Sequence, residues 1–284
     1  MKKLTLLPIL LIFFVATTSS QNESIRLIVR GDDIGSTHAA NLGCIRSYVD
    51  GIMTTVEVMV PCPWFPEAVK MLNENPGLDV GIHITVTSEW ENYKWRPLTH
   101  SPSITDEDGY FFPMIWANDE FPPERALREQ DWKIGEIEQE MRAQIEMAMK
   151  HIPHVSHLSC HMGCANWDDQ VQEVFNKLAE EYNLVVDRSI AGIERFPIEG
   201  KGETLEERIT LFVDALNKLE NGKTYLFVEH PALDTPEMEA IGHSGYMGVG
   251  ADRYLVTKVF TSEKVRDMIN ERNIKLIPYK DLVK

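Results

Sequence analysis

Two rhythms of apolar positions recur along the chain from residue 25 onward. Short runs apolar on both faces read as strands: IRLIVR (25–30), TTVEVMV (54–60), LDVGIHITV (78–86), HVSHLSCHM (154–162), LVVDR (184–188) and KTYLFVEHP (223–231). Between them lie segments with helical spacing. These are HAANLGCIRSYVDG (38–51) closed by Gly51, WFPEAVKMLNENP (64–76) stopped by Pro76, and a long stretch from about Glu124 to Lys150. WDDQVQEVFNKLAEEYN (167–183) and LEERITLFVDALNKLENG (205–222) follow, and TSEKVRDMINERNIKLIPYKDL (261–282) closes the chain. Strands alternating with helices predict an α/β fold of mostly parallel strands with helices packed outside. No internal repeat or interdomain linker divides it, so one domain is expected.

The rhythm breaks between residues 89 and 123, which hold Trp90, Tyr93, Trp95, Tyr110, Phe111, Phe112 and Trp116 among prolines. Long irregular segments in compact enzymes are often lids or binding loops. Here the aromatics could stack on sugar rings or form a satellite hydrophobic cluster.

The first twenty residues follow neither rhythm. MKKLTLLPILLIFFVATTSS has two lysines, an apolar run over residues 4–16 and then small residues, the three-part shape of a secretory signal peptide. A run of thirteen is short of the roughly 20 needed to span a bilayer, although an uncleaved anchor is the alternative. This reading predicts a secreted or periplasmic protein with a single domain over residues 21–284, a length that one α/β barrel fills. The formal charge of −16 becomes −18 once Lys2 and Lys3 leave with the signal. Such acidity disfavours nucleic acid and anionic membrane as partners and suits a neutral or cationic substrate. Four cysteines are too few for a disulfide scaffold, and a Cys160–Cys164 bridge stays open. The oligomeric state, a homodimer included, is not encoded in any pattern seen here.

In parallel α/β folds functional groups gather at the carboxyl ends of strands. Four strand ends carry them: Asp32 and Asp33 at the first, His83 at the third, His157 and His161 at the later one, and Glu229 with His230 at another. Two adjacent acids repel unless a cation attracts both. Successive strand residues point to opposite sides, so one aspartate would ligate the ion while the other takes a proton from the attacking water. The simpler alternative for the DDIG segment is a turn in which an aspartate caps the next helix, and for His83 a buried core histidine. On a helix His157 and His161 would share a face; on a strand they stand roughly 13 Å apart. The alternation in HVSHLS favours the strand, making His161 the ligand and leaving His157 deeper. A poor leaving group would also need a general acid, for which His230 is the candidate.

LIVRGDDIGSTHAANLGCIRSYVDGIMTTVEVMVPCPWFPEAV, NPGLDVGIHITVT, HVSHLSCHMG and YLFVEHPAL resemble, in order, segments of the YdjC-like carbohydrate deacetylases, which include chitooligosaccharide deacetylase. The resemblance implies a variant (β/α) barrel of polysaccharide-deacetylase type. It also implies one divalent metal, magnesium or zinc, held by Asp33, His83 and His161, and hydrolysis of an N-acetyl group on an amino sugar with Asp32 as general base. Three departures bear on substrate: Ser159 stands where the family usually has Asp, MGCANW replaces further histidines, and the surroundings of Glu57 and Pro61 differ. The rival readings are a metal-dependent hydrolase of another bond and a non-catalytic carbohydrate-binding protein on the same barrel. Phosphoester hydrolysis fits the acidity poorly, and glycoside hydrolysis by the two aspartates would leave His83 and His161 without a purpose.

Overall fold

The strand expected at 25–30 runs on through the aspartate pair as β1, Arg26–Ile34, and every residue of it except Arg26 is buried. The computed structural model describes residues 24–187 and 190–282, so the expected signal segment 1–20 lies outside the described residues. From β1 the chain continues through α1 (His38–Val49), β2 (Thr55–Val58), α2 (Phe65–Glu74) and β3 (Asp79–Ile84). After a long connection come α3 (Ile134–His151), β4 (Val155–Cys160), α4 (Asp169–Glu181), β5 (Val185–Val186) and β6 (Ile193–Arg195). The last part comprises α5 (Leu205–Asn217), β7 (Thr224–Glu229), α6 (Pro236–Glu239), α7 (Val249–Phe260), α8 (Glu263–Glu271) and β8 (Lys275–Leu276).

All pairings in the sheet are parallel, in the order β5-β4-β3-β2-β1-β7-β6. One edge of β1 is shared: β8 pairs with its first residues, Arg26 and Leu27, and β2 takes over from Arg30. The sheet curls strongly. Arg30 on β1 donates a 2.6 Å hydrogen bond to Asp187, the residue just after β5, although β5 stands four strands away in the sheet order. The result is the expected α/β barrel, open between β5 and β6, with helices outside.

Local chemistry explains the helix starts. Thr37 caps α1 by accepting from the Ala40 amide, Asp168 caps α4, and Thr204 with Glu207 makes a reciprocal capping box on α5. One helix begins later than its spacing predicts: α3 starts at Ile134, not near Glu124. Pro122 is extended (φ −66°, ψ 171°), and only two short 3-10 turns form before Gln130 returns to extended geometry. Consecutive prolines at 122 and 123 lack amide donors and restrict the residues before them.

The aromatic connection is packed down. Trp90, Trp95, Phe111 and Phe112 are buried and join the main hydrophobic core, so neither a free sugar-stacking face nor a separate satellite cluster describes them, whereas Trp116 is 41% exposed. Two buried polar residues of α3 pin this loop. Glu140 accepts from the amides of Leu98 and Thr99, and Gln144 bonds both backbone groups of Thr85.

Candidate active site

The end of β1 is irregular. Its register with β2 shifts between Gly31 and Ile34, and Asp33 adopts φ +74°. Positive φ is costly for most L-residues but tolerated by Asp. The turn is secured by the Gly35 amide donating to Asn41 Oδ1 at 2.6 Å and the Ser36 hydroxyl donating to the Asp33 carbonyl at 2.7 Å. Gly35 itself has φ +99°, and a Cβ there would lie 2.8 Å from the Met59 carbonyl oxygen.

This kink overturns the expectation that the two aspartates face opposite ways. His83 Nε2 lies 3.7 Å from Asp32 Oδ2 and 3.8 Å from Asp33 Oδ1. Both carboxylates therefore line one buried space, and arginines distinguish them. Arg30 grips Asp32 with two bonds, 2.7 and 2.9 Å, while Arg253 on α7 takes Asp33 Oδ2 at 2.9 Å.

His83 closes on this space from the end of β3. His161, the first residue after β4, comes from a tight turn whose Met162 has φ +50°. His161 Nδ1 is 3.5 Å from Asp33 Oδ1, and the two imidazoles meet edge to face at 5.3 Å. One ligand atom from each of Asp33, His83 and His161 falls within 4.8 Å of the others, all three residues buried. His157 is not part of this cluster; it is fully buried lower in β4 and bonds Glu57.

The cluster fits a cation. Asp33 Oδ1 is buried with no hydrogen-bond donor, an expensive state for a carboxylate oxygen. It faces two imidazole nitrogens instead. One carboxylate and two imidazoles form a borderline-hard donor set suited to zinc and related divalent ions, with positions left open.

Electrostatics follow the same geometry. Burial alone would raise the Asp33 pKa, but Arg253 and His230 hold it well below the usual carboxylate range. Burial lowers His83, keeping it neutral. At His161 burial pulls down, yet the carboxylates of Glu89 and Asp33 prevail and lift it to about 10. Glu89 Oε2 sits 3.2 Å from His161 Nε2. A carboxylate behind the far nitrogen of a ligand imidazole orients it and raises its basicity. His230 follows β7 one residue beyond the Gly31–Glu229 register pair, level with Asp32, and is partly exposed. The Asp33 and Glu229 carboxylates outweigh burial and raise its pKa.

Sequence reasoning missed Arg30, Glu89 and Arg253. Arg30 was readable as a charge inside an apolar strand. Arg253 was not, since the segment holding α7 showed no clear rhythm. Cys160 and Cys164 are not bridged; the Cys164 thiol donates to the Ile84 carbonyl at 3.1 Å.

The profile of the YdjC-like protein family matches residues 26–271. The chain belongs to this family. Among its YdjC-like relatives, the carbohydrate deacetylase of Thermus thermophilus is 35% identical over 240 residues, covering 76% of this chain and 80% of that protein. A carbohydrate deacetylase of Vibrio cholerae serotype O1 is 27% identical over 266 residues, 91% of this chain and 96% of that protein. A crystal structure from Enterococcus faecalis, of a protein for which cellobiose-phosphate cleavage has been suggested, superposes with a TM-score of 0.72. It shares 24% identity and covers 92% of this chain and all of that one, which establishes the common fold. The YdjC-like membership expected from the DDIG and VGIH segments thus holds.

Proposed function

We propose that this protein is a divalent-metal-dependent carbohydrate deacetylase that removes N-acetyl groups from an amino-sugar oligosaccharide. The observation that carries the reading is the buried, donorless Asp33 Oδ1 facing His83 and His161, with a second carboxylate, Asp32, beside it. The names of the relatives supply the substrate class. Asp33, His83 and His161 would hold the ion. Bound there, a divalent cation would supply Lewis acidity for the acetamide carbonyl and ease deprotonation of water.

The chain's own groups do the rest. Asp32 is the general base, and its two bonds to Arg30 fix both oxygens in place. An aspartate aimed by a bidentate guanidinium can accept a proton without rotating away. The Asp33 and Glu229 carboxylates raise the pKa of His230 and so favour its protonated form, from which it would deliver a proton to the departing sugar nitrogen. A strongly acidic chain suits a neutral acetylated sugar that leaves as a cationic amine. With residues 1–20 removed as a signal peptide, the enzyme would act outside the cytoplasm, in the periplasm or medium.

The test is acetate release from N-acetylated chitooligosaccharides. Release that stops on chelation, returns with added zinc or magnesium, and falls about 10²–10⁴-fold in Asp32→Asn is expected. Tight oligosaccharide binding with no acetate would instead identify a carbohydrate-binding protein, and release undiminished in chelator would refute metal dependence.

A further inference from the structure

Behind His83 runs a chain of buried polar groups that the catalytic reading does not use. Asp79, His157, Glu57 and Ser159 are all fully buried, and the chain links β3, β4 and β2. Its directions can be deduced from donor and acceptor counts. The Ser156 hydroxyl donates to Asp79 Oδ1 at 2.8 Å, which spends its one proton. His157 Nδ1, 2.7 Å from the same hydroxyl, must therefore donate to it. His157 Nε2 lies 2.7 Å from Glu57 Oε1, a carboxylate that can only accept. Both ring nitrogens of His157 thus carry protons, and the imidazolium is paired with Glu57.

The other Glu57 oxygen, Oε2, takes the Ser159 hydroxyl proton in a short bond. The Ser159 oxygen is then left as an acceptor for His83 Nδ1 at 2.7 Å. His83 must carry its proton on Nδ1, and its Nε2 lone pair faces Asp32 and Asp33. Every link has one allowed direction, and the last fixes the nitrogen that faces the site.

We propose that Glu57 and Ser159 form a relay that locks His83 in its Nδ1–H tautomer and so presents the Nε2 lone pair to the cation. Both are positioning residues, acting through His83. The relay rests on the metal site argued above. It also accounts for two departures noted in the sequence: the carboxylate behind the histidine comes from β2 through a serine, and β4 supplies the serine. The barrel makes room for it at Gly81, where a Cβ would collide with the Glu57 carboxylate and the His157 imidazole.

Two measurements test this. In the first, zinc and cobalt affinities of the full mature chain are measured by competition with a chromophoric chelator. Ser159→Ala and Glu57→Gln should each weaken affinity about 10–100-fold, the range found when such supporting groups are removed, and the double variant should be no weaker than the poorer single one. The variant Glu57→Ser combined with Ser159→Asp restores a carboxylate behind His83 and should recover most of the affinity that Glu57→Ser loses. Single variants that bind metal like the wild type would overturn the relay. A wild type that binds no cation would overturn the metal site itself, and the relay with it.

In the second, nitrogen-15 histidine spectra of the metal-free wild type read the tautomer directly, with no variant that must fold. His83 in the Nδ1–H form is expected. An Nε2–H form would overturn the relay.

Discussion

At the scale of single residues, the division between Asp32 and Asp33 is set by what holds each carboxylate. Their sequence adjacency suggested opposite sides of a strand; a positive φ at Asp33 puts them on one side, and Arg30 and Arg253 tell them apart. Asp32→Asn should lower kcat by about 10²–10⁴-fold, the range for losing a general base, while zinc affinity stays within a few fold. Asp33→Asn should instead abolish high-affinity binding, as a metal titration of the two variants would read. Glu57 gives a pH signature. Burial would raise its pKa, but His157 and Arg30 hold it well below the usual carboxylate range. A group depressed on folding contributes stability that is present above its unfolded pKa of about 4.3 and is lost as pH falls toward the folded value. Denaturant titrations should show stability falling on acidification below the ordinary carboxylate range, and Glu57→Gln should flatten that limb.

At the scale of elements, the strand ends were legible because apolar runs terminating in Asp, His or Glu stand out from their surroundings. The positions of His83 and His161 at the ends of β3 and β4 followed from that pattern. What escaped was α7, and with it Arg253, because its polar and apolar residues do not segregate cleanly: Arg253 and Thr257 are among the residues it buries. Arg253 leaves α7 to pair with Asp33, and both are nearly inaccessible to solvent. Removing one partner of a buried ion pair strands the other charge. Arg253→Met should therefore destabilise the metal-free protein by about 3–5 kcal/mol, with a smaller loss when zinc is bound, as paired thermal melts would show. The contact of α1 with the segment after β7 is equally close. A Cβ on Gly43 would strike the Ala232 backbone, two residues from His230. Gly43→Ala should lower the melting temperature and kcat together, because the Ala232 backbone must shift and carry with it His230, the proposed general acid.

At the scale of the whole molecule, strand–helix alternation was enough to read a parallel barrel, and the order of its strands was not. Closure depends on contacts between residues far apart in sequence, which no local pattern encodes: Arg30 reaches Asp187, and Lys275 and Leu276 of β8 pair beside the start of β1. Tyr279, fully buried, lies against the His157 ring at 4.6 Å, and the Lys280 amide donates to Asp79 Oδ2 at 3.1 Å. The chain end thereby seals the buried face from which the polar chain rises to His83. Tyr279→Ala should cost about 3–5 kcal/mol, as for other large buried aromatics, measured by denaturant unfolding. The central claim is that one cation draws Asp33, His83 and His161 together, and anomalous diffraction from crystals of the zinc-loaded protein tests it most directly. The account predicts a single strong peak about 2.0–2.2 Å from Asp33 Oδ1, His83 Nε2 and His161 Nδ1. Crystals that hold zinc elsewhere, with those three atoms bonded to no ion while the protein still releases acetate, would contradict it.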